Sequence, residues 1–585
     1  MNNLRNDLLE ANKEGKFLEF VYKNTLRELR ENRTDLYEEL IYLHNEGLIN
    51  IVDVFKKLEN SGKHDFFLTR NVFEKVLPRL ETPIYSVMEC VIHLIRQAGQ
   101  DMAAGTTFAP FIDFCAADTV RPKEALTYIE GSTEQFADLL PSVIIAGTRL
   151  DLEYYFYEAI RLSKHRKIII RTRAIFSLGR IIYPEGSDLI ESAFAFLENV
   201  VNIASDDLLL ANLTKSCFSL YKFNRSLKER CNELIKKVVI KGKDYTLHAI
   251  SEIFFSDFND VYMELLDTIL NSLLRINPKN KGTLDNVDYG LHNLLQSGDK
   301  TRGLEFIEKL FVTRPNDLSF EDFDSVIAEL RKDENRGVLN KLITRWFLSG
   351  NIILCNCIVI IINAANSSEM LPEVDFSEIN NNNSIIAIFL ARKAIGYLFT
   401  QPVTAANIII SIMKHTVDDE TMQGLSDLLF TPLLINYPGK VKEFLTKQKD
   451  SYSDRVKFAI EDALKALDDY LQNIKSVGEI PELHPSQSQR DTYWKNFTNQ
   501  MNESLKKAQK ESVLLSLVSK SVLLYGKKSI NYIYDKKGQS RRMEMPLHSH
   551  GTEVEYPRID NLDPFGLDYM IRVFRVERLK YEVDN

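Results

Sequence analysis

The sequence predicts a mainly α protein: an α-solenoid of helical repeats followed by a small C-terminal α+β module. Three observations lead to this fold class. The 585 residues include only 24 glycines and 17 prolines, which favours long helices with short connections over a turn-rich β fold. Amphipathic helical patterns recur in pairs through the middle of the chain. Near the C-terminus the apolar period changes to two, which is typical of strands.

Residues 1–165 form a predicted N-terminal helical region. Its helical patterns are separated by polar breaks at "NEGL", "NSGK" and "GQDMAAGTTFAPF". The stretch from Ala104 to Thr107 lacks the glycine and lysine spacing of a phosphate-binding loop, so we expect a plain connection there. The first residues, "MNNLRNDLLEANKEGKF", contain no apolar segment. We therefore expect no secretory signal and a cytoplasmic location.

Residues 166–475 are predicted to form the helical repeats. The segments "RTRAIFSLGRII", "LANLTKSCFSLYK", "YTLHAISEIFF" and "LDNVDYGLHNLL" each read as an amphipathic helix that is followed by a second one. Their central residues, 39, 36 and 38 positions apart, are Leu178, Cys217, Ile253 and Leu291. One helix pair cannot bury its apolar face alone, whereas stacked pairs share a continuous core. The aromatic and leucine stripes of the repeats are therefore expected in the core.

These segments resemble the HEAT/armadillo class of helical repeats, whose units are about 40 residues long. The Trp, Gly and Tyr pattern of the tetratricopeptide class, with units of about 34 residues, is absent from the sequence. The resemblance covers Ile170 to Leu310 and extends more weakly to Leu471. It implies a stacked helical fold and brings no catalytic residues with it.

Two stretches within the repeats depart from the pattern. Asn351 to Ala365 is the most apolar stretch of the chain, but it is shorter than the roughly 20 residues that a membrane span needs. We therefore expect a buried helix there and no membrane partner. The polar, asparagine-rich segment from Ser367 to Ser384 predicts a long connection between helices.

A linker is predicted at residues 476–491, where prolines occur among small polar residues, and the C-terminal α+β module at residues 492–585. A helix with apolar residues at steps of three and four is expected to begin near Trp494 and to end at Gly526. Period-two alternation on both sides of "DKKG" predicts a hairpin, and "EVEYPRI" could add a third strand. The segment "LDYMIRVFRVERLKY" predicts a last helix.

Basic residues are concentrated in this module. The chain carries a net charge of -9, but the segment from Lys506 to Arg542 carries +8, which leaves -17 on the rest. Basic and aromatic side chains together are the combination that holds phosphate backbones and stacks on bases. The candidate polyanion-binding residues are Lys527, Lys528, Lys536, Lys537, Arg541, Arg542, Tyr532 and Tyr534. The alternative is that the lysines only keep an exposed edge strand soluble.

Two histidines follow the hairpin, His548 and His550. On a strand both rings would face one side and could share a metal ion, but a single His-x-His beside Gly551 is more typical of a polar loop. We expect no metal and no cofactor. The six cysteines show neither a disulfide framework nor a C-x-x-C metal spacing, which indicates a reducing compartment.

These features favour a scaffold or recognition subunit over an enzyme. The repeats would present a surface to a protein partner, and the C-terminal module would hold a second partner. By analogy, a helical-repeat protein rich in Asn, Ile and Lys suits a microbial defence or toxin-regulating complex. Two alternatives stay open. One is a nucleic-acid-binding protein or nucleic-acid-acting enzyme that uses the C-terminal module, and the other is a self-assembling oligomer or filament.

Overall fold

The computed structural model describes residues 2–31, 35–61, 65–99, 101–314, 317–364, 370–379, 384–478, 480, 484–511, 520–524, 528–534, 540–546, 555–561 and 563–579. Packing divides the chain into two compact units, Met1–Lys332 and Asp333–Asn585. Helices dominate both units, and in the described part of the chain none is long and apolar enough to cross a membrane. The predicted boundaries at residues 165, 475 and 491 stay predictions.

The first half of the N-terminal unit is a stack of short helices. They are α1 (Asn2–Lys13), α2 (Phe17–Glu31), α3 (Asp35–Asn45), α4 (Ile51–Phe55), α5 (Phe66–Val76), α6 (Ile84–Ala98), α7 (Phe108–Ala116), α8 (Arg121–Gly131), α9 (Thr133–Phe136), α10 (Leu140–Thr148) and α11 (Leu152–Leu162). Aspartate and asparagine side chains accept hydrogen bonds from the first amides of several of them, as Asp65 does from Leu68 and Asp151 from Tyr154.

The second half of this unit contains the first part of the predicted repeats, residues 166–332. Its helices are α12 (Ile168–Leu178), α13 (Asp188–Ile203), α14 (Asp207–Phe223), α15 (Lys228–Lys241), α16 (Asp244–Ser256), α17 (Met263–Leu273), α18 (Lys281–Gln296), α19 (Lys300–Thr313) and α20 (Asp324–Leu330). Helices α10, α12, α14, α16, α18 and α20 pack side by side in one layer, and α13, α15 and α17 pack in a second. Alternate helices therefore belong to alternate layers, which is the packing of a helical-repeat fold.

Polar side chains join each repeat to the next. Ser216 donates to the carbonyl of Ile175 at 2.8 Å, and the Asp207 carboxylate accepts from the amide of Tyr245 at 2.8 Å. Bonds with a similar sequence separation also join helices of the predicted N-terminal region, since Arg149 pairs with Asp113 at 2.7 Å. Stacking thus also joins helices that precede the segments in which the repeat is visible in the sequence.

The second unit begins with further helices of the same kind. They are α21 (Arg336–Ser349), α22 (Ile352–Asn363), α23 (Ser384–Leu398), α24 (Pro402–Met413), α25 (Asp419–Leu428), α26 (Lys440–Gln448) and α27 (Asp454–Val477), with a π-helical turn at Leu429–Leu434. Helix α22 holds the most apolar stretch of the sequence, and its side chains Cys355, Cys357 and Ile358 are buried. Helix α27 ends at Gly478, whose φ of 72° favours glycine.

The connection between α22 and α23 is described over residues 370–379. Its backbone is held by side chains of two helices, because the amide of Val374 donates to Ser411 at 2.9 Å and that of Asp375 donates to Thr344 at 2.8 Å. Asn407 in turn donates to the carbonyl of Pro372 at 2.8 Å. The described part of this asparagine-rich segment is therefore packed into the unit.

Near the C-terminus lie helix α28 (Gln487–Glu511) and the three strands β1 (Lys520–Leu524), β2 (Lys528–Tyr534) and β3 (Ser540–Pro546). The strands form an antiparallel sheet in the order β1-β2-β3. Two expectations were wrong. The described part of the predicted helix ends at Glu511, and Lys520 to Leu524, which were expected in that helix, pair with β2 as strand β1. The third strand is therefore β1, and the described part of "EVEYPRI", residues 555–559, forms no strand. The turn at "DKKG" lies outside the described residues.

The last helix, α29 (Pro564–Val576), packs on α23. The buried Lys393 of α23 donates from Nζ to the carbonyls of Arg575 at 2.6 Å and Glu577 at 2.7 Å. Gly396 permits this approach, because a Cβ there would lie 3.1 Å from the amide nitrogen of Arg575. The predicted C-terminal α+β module is therefore not supported as a self-contained unit, since its last helix docks on the helical repeats.

The segment before α29 is anchored as well. The Glu555 carboxylate accepts from the amides of Gly439 at 2.7 Å and Lys440 at 2.9 Å, where α26 begins. The amide of Ile559 donates to the side chain of Asn436 at 2.9 Å. The chain thus leaves the repeats after α27, forms α28 and the sheet, and returns to the same unit through residues 555–579.

Replacing Lys393 by methionine is expected to release α29. The variant loses two charge-assisted hydrogen bonds to the end of the helix, each worth roughly 1.5–3 kcal/mol, and leaves both carbonyls unsatisfied. Hydrogen–deuterium exchange should show the amides of residues 564–577 losing about a hundredfold of protection or more. Arg392→Met is the control, because the Arg392–Glu577 ion pair is partly exposed and worth less than about 1 kcal/mol. We call the two hydrogen bonds from Lys393 to the end of α29 the Lys393 clamp. Equal protection of residues 564–577 in both variants would show that this clamp does not hold the helix.

Candidate functional site

The sheet fixes the relative positions of some predicted polyanion-binding residues. Tyr532 of β2 is paired with Arg542 of β3 and with Lys520 of β1, so these three residues form one row across the sheet. Arg541 is paired with Ile533, one position further along β2. Lys520 was not among the candidates, and only the pairing register associates it with Tyr532.

The remaining candidates are only partly placed. Lys528 and Tyr534 are the first and last residues of β2 and are paired with Pro546 and Ser540 of β3. The guanidinium of Arg542 is exposed and lies 2.5 Å from the carboxylate of Glu544, which partly compensates its charge. Residues Lys527, Lys536, Lys537, His548 and His550 lie outside the described residues. Polyanion binding by this sheet stays a prediction.

The described ranges contain no candidate metal site. No group of three or more His, Cys, Asp or Glu side chains there could hold an ion. The six cysteines are free and buried, and burial raises the pKa of Cys355 to about 11 and that of Cys357 to about 12. These thiols are therefore protonated near neutral pH, when they are weak nucleophiles and weak metal ligands.

The basic run "RLSKHRKIIIRTR" is partly used by the fold itself. Arg161 pairs with Glu130 at 2.6 Å and with Glu158 at 2.8 Å, and Arg173 pairs with Asp138 at 2.6 Å. Hydrogen bonds to Glu130 and Glu158 raise the pKa of Arg161. Ion pairing between neighbouring helices thus accounts for two of these charges, and they are not free to line a binding groove.

An open cleft in the repeats is a candidate site of the N-terminal unit. It has a volume of about 450 Å³ and opens where α16 and α18 end. Its lining residues are Phe255, Ser256, Phe258, Asn259, Asn293, Gln296 and Ser297. Two phenyl rings and five uncharged hydrogen-bonding side chains meet there, and the volume falls within the range of about 300–1,000 Å³ that is typical of binding pockets.

An exposed ring of the cleft lining contacts a second exposed ring on the neighbouring helix. Phe255 of α16 and Tyr289 of α18 are 39% and 47% exposed, and their ring centroids are 5.2 Å apart. Gly290 lets the two helices close behind them, because a Cβ at that position would overlap the buried ring of Phe254. The small Gly290 and the large Phe254 therefore pack tightly in the core, and the next residue in one helix and the preceding residue in the other, Phe255 and Tyr289, form an aromatic pair on the surface.

The amide side chains of the cleft are held in place. Asn293 donates to the carbonyl of Phe255 at 3.3 Å, and Gln296 donates to the carboxylate of Glu329 at 3.1 Å. Each amide uses its NH2 group in this bond, so its carbonyl oxygen remains available as an acceptor. Preorganised acceptors beside aromatic rings suit hydrogen-bond donors of a partner.

Charges near the cleft are neutralised by pairing. Asp257 lies 2.5 Å from the ammonium group of Lys222, and Asp260 pairs with Arg225. The hydrogen bond from Arg225 lowers the pKa of Asp260, which keeps this carboxylate ionised within the pair. The cleft itself is lined by neutral side chains, and no titratable group of the lining could serve as a general acid or base.

The aromatic stripes of the repeats were expected in the core, and Phe255 and Tyr289 depart from this general expectation because both rings are exposed. Both lie in register with polar residues of their own helices: Phe255 follows Glu252 by three positions, and Tyr289 follows Asp285 by four. An aromatic residue on the polar stripe of a repeat helix is the signal that could have identified them.

Known proteins show only distant similarity to this chain. No protein-family model matches the chain, and no curated protein matches it. An engineered protein of known structure is 13% identical and covers 80% of this chain and 99% of its own, with a TM-score of 0.17. A circular tandem repeat protein with novel repeat topology is 14% identical and covers 81% and 95%, with a TM-score of 0.13. With scores this low, the helical-repeat fold rests on the packing of this chain alone.

Proposed function

We propose that this protein is a scaffold or recognition subunit that presents its helical repeats to a protein partner. The observation that carries the proposal is the neutral cleft in the repeats, together with the exposed ring of Phe255 in its lining and the Tyr289 ring that contacts it. Interface cores are depleted of charged residues and enriched in aromatic residues, which is the composition of this cleft. Assignment of the repeats to the HEAT/armadillo class and a cytoplasmic location belong to the same proposal.

The chemistry of the cleft supports recognition rather than catalysis at this place. Two half-exposed rings offer apolar area that a partner can cover, and oriented amide oxygens offer specificity without a charge to desolvate. A partner that inserts an uncharged donor or an aromatic side chain fits this lining. Membership in a microbial defence or toxin-regulating complex stays a hypothesis by analogy.

Phe255→Ala combined with Tyr289→Ala is expected to reduce partner binding about tenfold or more, because exposed aromatic anchors carry most of the energy of such interfaces. The measurement is recovery of co-purifying proteins by the full chain from an extract of its source cells, quantified after nuclease treatment. Tyr157→Ala is the matched control, since this tyrosine is 55% exposed on α11, away from the cleft. Equal recovery by the double variant and the control would refute the proposal.

Nucleic-acid binding is the second candidate function, and the row formed by Lys520, Tyr532 and Arg542 favours it. Proteins that bind single-stranded nucleic acid use basic residues for the phosphates and aromatic residues for stacking on the bases. The row contains both kinds of residue, with the tyrosine between the two basic residues. The nuclease step separates the two candidates, because proteins recovered only without nuclease would be bridged by nucleic acid. A nucleic-acid-acting enzyme remains an alternative for the same sheet, without assigned catalytic residues.

A further inference from the structure

Helix α28 carries an apolar stripe that no described residue of the chain covers. Every side chain of this helix that the structure describes is exposed. The stripe consists of residues that are 38–62% exposed, namely Tyr493, Trp494, Phe497, Met501 and Leu505. Its aromatic rings contact one another, with the Trp494 and Phe497 centroids 5.8 Å apart. Since helices in proteins are stabilised mainly by packing one face, α28 needs a partner.

Helix α29 exposes a second apolar stripe on the side that faces away from α23. Leu567 is buried against the repeats, whereas Phe565 is 87% and Tyr569 is 71% exposed. Val573 and Val576, 40% and 58% exposed, continue the stripe towards the end of the helix. The Lys393 clamp holds α29 in place, so this apolar stripe is presented on a fixed support.

We propose that α28 of one copy of this chain packs on α29 of a second copy, and that the contact is reciprocal in a twofold dimer. The two stripes match in length, because Trp494 to Leu505 and Phe565 to Val576 each span roughly 17 Å of helix. Both are exposed within a single chain, so a second copy can cover them. In a twofold dimer, α28 of each copy then covers α29 of the other, so all four stripes are buried.

The areas favour reciprocal pairing over pairing of α28 with itself. With about 200 Å² for a large side chain, the exposed fractions give at most about 2,100 Å² buried in the reciprocal dimer. A stable interface buries about 1,200–2,000 Å², whereas α28 packed on α28 alone would bury about 1,000 Å². The occupant that satisfies both stripes and reaches the required area is therefore a second copy.

Disulfide trapping tests the geometry. The six native cysteines are buried, so Met501→Cys on α28 and Tyr569→Cys on α29 introduce the accessible thiols. Mixing the two single variants under mild oxidation should give covalent dimers of one chain of each kind. Covalent dimers of Met501→Cys alone would instead show α28–α28 pairing, and an internal link in a chain carrying both changes would show pairing within one chain. Either of these results, or no link in the mixture, overturns the proposal.

Sedimentation across a concentration series tests the energetics. Trp494→Ser with Phe497→Ser, and separately Phe565→Ser with Tyr569→Ser, should each weaken dimerisation at least about a hundredfold. Phe458→Ser on α27 is the matched control, because this ring is 72% exposed and lies outside both stripes. The Phe458→Ser variant should dimerise as strongly as the unaltered chain. Dimer formation should also shift the fluorescence of Trp494, since the other tryptophan, Trp346, is fully buried. A monomer at every concentration would contradict the dimer and leave the cleft proposal intact.

Discussion

Replacing Glu74 by alanine is expected to lower the free energy of unfolding of the N-terminal unit by about 3–5 kcal/mol. Glu74 and Arg70 form a buried ion pair on α5, with 8% and 2% exposure and 3.0 Å between Nε of Arg70 and Oε1 of Glu74. The angle at Nε is not that of a hydrogen bond, so charge compensation is the main contribution of this contact. Alanine would leave the guanidinium buried without its counter-charge.

The same carboxylate also holds the segment before α7. The hydroxyl groups of Thr106 and Thr107 donate to Glu74 at 2.8 and 2.7 Å, and Arg70 donates to the carbonyl of Ala103 at 2.6 Å. The stretch from Ala104 to Thr107 is therefore tied to α5 by the buried pair. Loss of Glu74 loosens this segment and adds the buried hydroxyl of Thr107, which loses its acceptor, to the uncompensated charge.

Urea unfolding followed by circular dichroism measures the effect, with two controls. Glu38→Ala removes an exposed partner of Arg79 and should cost less than about 1 kcal/mol. Arg70→Met combined with Glu74→Leu removes both charges and should be markedly more stable than Glu74→Ala, because no unpaired charge remains. A single Glu74→Ala variant as stable as Glu38→Ala would show that the pair is not what stabilises this part of the unit.

Raising the pH above about 9 is expected to destabilise both units steeply. Burial raises the pKa of five thiols, which are Cys90, Cys115, Cys217, Cys355 and Cys357. An unfolded thiol loses its proton near pH 8.5, whereas the folded thiol keeps it to higher pH, so the unfolded state binds fewer protons in this window. The stability contribution is complete below about pH 8.5 and falls by about 1.4 kcal/mol per pH unit for each thiol above it.

The measurement is the urea midpoint as a function of pH between 8 and 11 under reducing conditions. Cys355→Ala with Cys357→Ala should make the pH dependence of the second unit shallower by up to about 2.7 kcal/mol per pH unit. The small cavities lower stability at every pH, so the slope and not the absolute value is the result to compare. An unchanged slope would mean that other groups, such as Tyr437 with a pKa raised by burial to about 12, govern alkaline unfolding.

The helical repeats could be predicted because their signal is local. Apolar residues at steps of three and four mark each helix, and the spacing of Leu178, Cys217, Ile253 and Leu291 marks the repeat. The position of β1 could not be predicted in the same way. A short apolar run such as "SVLL" fits a helix or a strand, and pairing with β2 decides between them.

The candidate site depended on contacts that the sequence does not encode locally. Lys393 reads as an interruption of an apolar helix, and only the docking of α29 shows that it caps another helix. The exposure of Phe255 and Tyr289 agrees with their place on the polar stripes of their helices, but only the stacking of α16 on α18 brings the two rings together beside a cleft. In both cases the deciding partner is a neighbour in space.

The sequence by itself determined the mainly α class, the repeat length and the separation of a basic C-terminal segment from an acidic body, because composition and apolar period follow directly from the order of residues. Tertiary structure decided which apolar stripes are covered and which stay exposed, as on α28 and α29. It also decided that the chain returns to its own repeats after the sheet. Burial is a property of packed surfaces, and the same stripe is core or interface according to what lies against it.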